Sequence, residues 1–214
     1  MALIQLRPYE ESFNAIIFKK LKKLDALLLC EGKTEVEVIK TIVKRLNIAV
    51  SRNVGVTDCS GINALYDITN IAILLLRVAR KIEKLGVLMD AEEMDIDRRV
   101  GSVLQSLKSS GVSVGKVEEL CSQTRKVTLP DLERTLYIAV SGDFSYNFKT
   151  HMLEDHAITL LMLEGKLNEE SLKQIAVASE IVDRRELIKH IDSSMLENVA
   201  KAFNHIVCLL NGMI

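Results

Sequence analysis

Tryptophan is absent and aromatic residues make up only 4% of the 214-residue chain. A platform of stacked rings for single-stranded nucleic acid is therefore not expected. An excess of one charge is also missing. With 28 basic and 29 acidic residues the formal net charge is −1, unlike the basic surplus of a strong non-specific nucleic-acid binder. The four cysteines (Cys30, Cys59, Cys121, Cys208) contain no C-x-x-C pair, which argues against a structural zinc site. The longest wholly apolar run, Ile71–Leu76, is far too short to span a membrane. The opening residues carry Arg7, Glu10 and Glu11 and no secretory pattern. These features predict a cytoplasmic protein with reduced thiols and no membrane partner.

What is present is 48% hydrophobic and 27% charged, the balance of a globular protein with one sizeable core. Residues 1–24 read as either an amphipathic helix or an extra strand. From Asp25 to about residue 142, apolar strand-like runs alternate with helical periodicity. The expected order is a strand at Asp25–Cys30, then a helix with Thr34 and Glu37 as its capping box. A strand at Arg52–Cys59, a long helix at Ile62–Leu85 and a strand at Gly86–Asp90 follow. A third helix near 94–111 comes next, then a mixed stretch at Val112–Leu132 and a strand at Arg134–Gly142. Four helical segments follow near 150–164, 168–179, 184–193 and 195–211. Leu187, Ile191, Met195, Val199, Phe203 and Val207 mark their apolar face. Such alternation predicts an α/β protein with a Rossmann-like parallel sheet flanked by helices and a C-terminal helical extension.

The stretch "LLLCEGKTEVEV" invites a phosphate-loop reading, because Gly32-Lys33-Thr34 stands between a strand and a helix. That motif requires glycine five positions before Gly32. Residue 27 is leucine, and the apolar strand leaves no loop whose amides could wrap a phosphate. The acids carry more information. Open parallel sheets bind ligands beyond the carboxyl ends of their strands. Three predicted strand ends carry acids there: Glu31, Asp90 with Glu92, and Asp143. Magnesium held by carboxylates neutralises phosphoryl oxygens. Asp90 and Glu92 could face one such ion, with Glu31 as a further ligand or a general acid/base.

Taken in order, "LLLCEGKTEVEVI" and "GVLMDAEEMD" resemble the two motifs of the TOPRIM domain: a Glu-Gly after the first strand and an Asp-x-Asp after the third. "HMLEDHAI" resembles the acidic segment that stand-alone archaeal and bacterial TOPRIM proteins carry after the fourth strand. The resemblance covers about residues 25–160, leaving 1–24 as an N-terminal extension and 161–214 as the helical one. The second motif reads Asp-x-Glu where Asp-x-Asp is usual.

The resemblance implies magnesium-dependent (or manganese-dependent) processing of phosphodiester bonds in DNA or RNA, nuclease-like in kind. Glu31 would be the general acid or base, and Lys33 a phosphate contact. Asp90 and Glu92 would be the metal ligands, with Glu93, Asp143, Glu154 and Asp155 as lesser candidates. Two alternatives stand beside it. One is a non-catalytic module that binds nucleic acid or protein. The other is a metal-dependent phosphohydrolase of small substrates. The C-terminal helices could pack on the sheet or form a homodimer interface. His151 and His156, five apart, do not share a helix face for metal binding. The basic runs Phe18–Leu24 and Arg77–Lys84 read as solvated faces.

Overall fold

The computed structural model describes residues 2–6, 23–76, 81–173 and 175–214. Seven strands form one sheet in the order β1-β3-β2-β4-β7-β6-β5. They are β1 (Leu3–Gln5), β2 (Ala26–Cys30), β3 (Val54–Asp58), β4 (Lys84–Asp90), β5 (Val117–Cys121), β6 (Thr124–Leu129) and β7 (Arg134–Ser141). The first five in spatial order are parallel, and β6 and β5 add an antiparallel edge. The helices are α1 (Lys33–Arg45), α2 (Ile62–Leu76), α3 (Ile96–Ser109), α4 (Leu153–Leu163), α5 (Arg184–Ser193), α6 (Leu196–Ala202) and α7 (Asn204–Met213). This is the expected α/β class, with a mostly parallel sheet flanked by helices and a C-terminal helical segment.

The unbroken apolar strands follow from burial on both faces. In β2, Ala26, Leu28 and Cys30 join one core with Val36, Ile39 and Ile42 of α1. Leu27 and Leu29 point the other way, into a second core with Leu65 and Ile73 of α2 and Val100, Val103 and Leu107 of α3. Helix α1 therefore lies on one face while α2 and α3 lie on the other. The chain leaves β2 toward one face and leaves β4, its hydrogen-bonded neighbour, toward the opposite face. The gap between their carboxyl ends is the switch point at which open α/β sheets form a crevice.

The C-terminal helices pack on the α1 face. Ile206, Leu209, Leu210 and Met213 of α7 are buried in the α1 core, each contributing about 1.5–3 kcal/mol. Gly86 and Gly212 permit the close approach. A β-carbon on Gly86 would sit 2.2 Å from the Met213 sulfur, and one on Gly212 would sit 2.4 Å from the Tyr137 ring. Lys84 Nζ donates to the Gly212 carbonyl at 2.7 Å, a cation at a helix C-terminus.

Several local expectations change. Helix α1 starts at Lys33 with Gly32 as its N-cap, and Glu35 rather than Glu37 accepts from the capping amide, Gly32 N–H, at 2.9 Å. The long second helix is described to Leu76, and Lys84 and Leu85 belong to β4 instead. Val112–Leu132 contains a hairpin whose two-residue turn, Ser122-Gln123, holds no glycine. Residues 168–179 contain short 3₁₀ turns rather than a helix. The 195–211 helix breaks at Phe203 into α6 and α7. Met195 is 65% exposed, because α5 stops at extended Ser194 and the helical register restarts. The basic run Phe18–Leu24 lies mostly outside the described residues, as do the first four residues of Arg77–Lys84. Among the described residues no helix is long and apolar enough to cross a membrane.

Candidate functional site

At the switch point a cleft of about 330 Å³ is lined by Glu31, Gly32, Lys33, Glu35, Asp58, Ser60, Gly61, Asp90 and Arg184. Glu31 follows β2, and Asp90 closes β4. The Glu31 amide donates to the Leu88 carbonyl at 2.9 Å, which continues the ladder one step past β2. The Asp90 amide donates to Glu31 Oε2 at 3.1 Å. Asp90 Oδ1 accepts from the Leu153 amide at 2.9 Å, at the start of α4. The two sequence-predicted acids are thus joined directly.

Their electrostatics set them apart from ordinary surface carboxylates. Burial, then the nearby carboxylates of Glu35, Glu31 and Glu154, push the Asp90 carboxyl well above the usual range. The Leu153 amide opposes them but does not win. Burial also raises Glu35, with Glu31 and Glu154 adding to the effect. Glu31 is raised by burial, against the pull of the Asp90 amide, with Glu92 raising and Arg99 lowering it. Like charges that raise one another mark a site with too little positive charge.

Glu92 turns elsewhere. Its φ of 54° is left-handed, uncommon for glutamate, and two contacts hold it there. Its backbone exchanges hydrogen bonds with His151, at 2.7 and 2.8 Å. Its carboxylate accepts from the buried Arg99 guanidinium at 2.6 Å. Arg99 also donates to the Ala91 carbonyl (2.9 Å from Nη2) and lies 3.4 Å from the Tyr66 hydroxyl. Glu93 is exposed, as is Lys33 at the cleft mouth. Glu154 is buried, and Arg184 Nε stands 3.7 Å from its Oε1.

Asp143 and Asp155 belong to a separate network past the end of β7. Asp143 accepts from the Ser145 amide (3.0 Å) and hydroxyl (2.6 Å) and from the Thr159 hydroxyl (2.6 Å). Burial pulls its carboxyl upward, but these bonds outweigh it and hold the carboxyl below the usual range. Asp155 Oδ2 accepts from the Asp143 amide at 3.0 Å and pairs with His151 Nδ1 at 2.9 Å. Its Oδ1 is buried without a hydrogen-bond partner, and burial raises its carboxyl to about 6. His156 Nε2 accepts from the Gly142 amide at 3.0 Å, which places the ring proton on Nδ1. Burial lowers its pKa to about 4. Gly142 has φ 134°, and a β-carbon there would sit 2.7 Å from that of His151. Gly142, Asp143, Ser145, His156 and Thr159 border a second pocket of about 390 Å³.

The acidic groups lining the cleft, Glu31, Glu35, Asp58 and Asp90, offer carboxylate oxygens, the chemistry that hard divalent cations take. A cation among them would offset the burial and the repulsion that lift Asp90. Among the described residues, no three His, Cys, Asp or Glu side chains converge closely enough to enclose a metal ion.

Four site residues escaped the sequence reading. Asp58 ends β3 and obeys the same rule of an acid at a strand end. Glu35 was signalled by its place three residues after Gly32. Arg99 and Arg184 had no local signal. The model of the family described as "Protein of unknown function (DUF3226)" matches residues 25–182. No curated protein and no solved structure matches the chain. The family match covers most of the chain, which therefore belongs to the DUF3226 family.

Proposed function

We propose that this member of the DUF3226 family is a TOPRIM-like enzyme that processes phosphodiester bonds in nucleic acid with a divalent cation, magnesium or manganese, in a nuclease-like reaction. The observation that carries the reading is the junction of Glu31 and Asp90 on adjacent parallel strand ends. It lies at the switch point of the sheet, among carboxyls that burial, and then neighbouring carboxylates, raise. Asp90, with Glu35 or Glu154 beside it, would hold the cation, with water completing its shell. When bound, the cation supplies charge neutralisation on the non-bridging phosphate oxygens.

The chain's own residues supply the rest. Glu31, its carboxyl raised by burial, can accept a proton from the attacking oxygen or return one to the leaving oxygen. Lys33 stands exposed at the mouth as a charge for phosphate. Arg99 holds the Ala91 carbonyl and the Glu92 carboxylate, and so fixes the loop that follows Asp90. The test is cleavage of labelled DNA and RNA in a magnesium or manganese titration. Glu31→Gln and Asp90→Asn should each lower the rate at least about 100-fold. Activity that survives both changes would remove these residues from the site.

One observation favours a second reading, a non-catalytic binding module. Arg99 occupies the second acid of the Asp-x-Glu motif. Wild-type protein that binds nucleic acid but shows no metal-dependent cleavage of DNA, RNA or nucleotides would support that reading over the first.

A further inference from the structure

The cleft poses a charge problem for any phosphate. Glu31, Glu35, Asp58 and Asp90 line it, and the Glu154 carboxylate acts on two of them electrostatically. An anionic substrate is repelled unless positive charge meets it. Two basic side chains line the cleft, Lys33 and Arg184. Lys33 lies within the segment matched by the family model, whereas Arg184 lies just beyond its end at 182. Arg184 is the first residue of α5, so the C-terminal helical segment reaches the cleft.

Its placement is firm while its head group is loose. Val182 and Leu187 are buried on either side and anchor the segment. Asp183 caps α5, accepting from the Arg185 and Glu186 amides at 2.7 and 2.9 Å. The Arg184 side chain is 76% exposed, and its ion pair to Glu154 Oε1 is long at 3.7 Å. The contact is long and its cation is exposed, which makes the pair weak, and a cation near the buried Glu154 carboxylate would replace the charge that the departing guanidinium removes. A guanidinium presents a planar fork of donors matched to phosphate oxygens. Arginine at a helix N-terminus also gains nothing from the helix dipole, which favours anions there. Neither its packing nor its helix accounts for a cation at this position.

We propose that Arg184 is a substrate-positioning residue that exchanges Glu154 for a phosphate group of a nucleic-acid strand, making the C-terminal segment part of the binding site. Release of Glu154 leaves that carboxylate free to face the cation. The inference rests on the phosphodiester reading above and adds a residue to it.

The experiment measures fluorescence anisotropy of short fluorescein-labelled phosphorothioate DNA and RNA strands in magnesium. It compares the wild type, Arg184→Gln, Arg184→Lys and, as control, Arg185→Gln, whose side chain is exposed on the same turn. Arg184→Gln should weaken binding roughly 10-fold and reduce the salt slope by about one. Arg184→Lys should restore part of the affinity, and Arg185→Gln should match the wild type. Equal binding by Arg184→Gln and the wild type overturns the role of Arg184 and leaves the acidic site standing. The same holds if Arg184→Gln and Arg185→Gln weaken binding equally. Absence of wild-type binding to either strand overturns the phosphodiester reading and this inference with it.

Discussion

Two acidic regions lie side by side at the carboxyl edge of one sheet, and they treat their carboxylates in opposite ways. Past β7, Asp143 is matched by donors from Ser145 and Thr159 and is held below the usual range. At the ends of β2 and β4, Glu31, Glu35 and Asp90 are raised chiefly by burial and further by neighbouring carboxylates, and are held above it. An acid after a strand therefore does not by itself make a site. The donor supply decides. The β7 region satisfies the Asp143 charge internally, whereas the cleft acids lack such donors, and we propose that a cation meets their charge.

Asp143 and His156 of the β7 region should respond to pH with the sign opposite to that of the cleft acids, and His156 carries the largest expected effect. His156, near the β7 end, has its pKa lowered from 6.5 to about 4, chiefly by burial. His205, stacked on it at 4.1 Å, is lowered further by burial and by His156. A histidine depressed in the folded state binds fewer protons than in the unfolded chain. Its stabilisation is present above pH 6.5 and lost as pH falls toward 4. We expect a loss of up to about 3 kcal/mol over that window from His156, read from urea unfolding at a series of pH values. His156→Gln should flatten the slope. An unchanged slope would show that the ring is already charged or exposed. The cleft acids carry the reverse sign, because a raised carboxyl stabilises at low pH and that contribution is lost as pH rises through its folded pKa. Asp155, raised to about 6, shares this sign although it belongs to the β7 network.

A smaller effect sharpens the same contrast. Asp143→Ala removes the acceptor of three hydrogen bonds. It should cost about 2 kcal/mol in urea unfolding and leave magnesium-dependent cleavage within roughly threefold of the wild type. A loss of cleavage as deep as that of Asp90→Asn, with stability intact, would move Asp143 from the structural network to the reacting site.

Much of this was legible in the chain. Fully buried parallel strands announce themselves as apolar runs, so β2, β4 and β7 were found, and with them Glu31 and Asp90 at their ends. The hairpin β5–β6 was not resolved, because its strands are rich in charge and its turn lacks the usual glycine or asparagine. The 168–179 segment carries helical composition, but the structure accommodates it as short turns beneath α4. In sequence Glu92 stood beside Asp90 as a metal ligand and Asp143 was a lesser candidate at another strand end. Their separation from the cleft depends on Arg99, Thr159 and Ser145, partners that periodicity cannot place. Arg184 comes from a helix whose docking on the α1 face has no local signature.

The most direct test of the central claim, that the cleft at β2 and β4 holds unmatched charge for a divalent cation, is the thermal unfolding midpoint at neutral pH of wild type and Asp90→Asn, each with EDTA and with magnesium. Asparagine keeps the acceptor for the Leu153 amide and removes the charge. Asp90→Asn should melt roughly 3–6 °C above the wild type in EDTA, and magnesium should raise the wild-type midpoint but not that of the variant. A variant that melts below the wild type in EDTA, or that responds to magnesium as the wild type does, would contradict it.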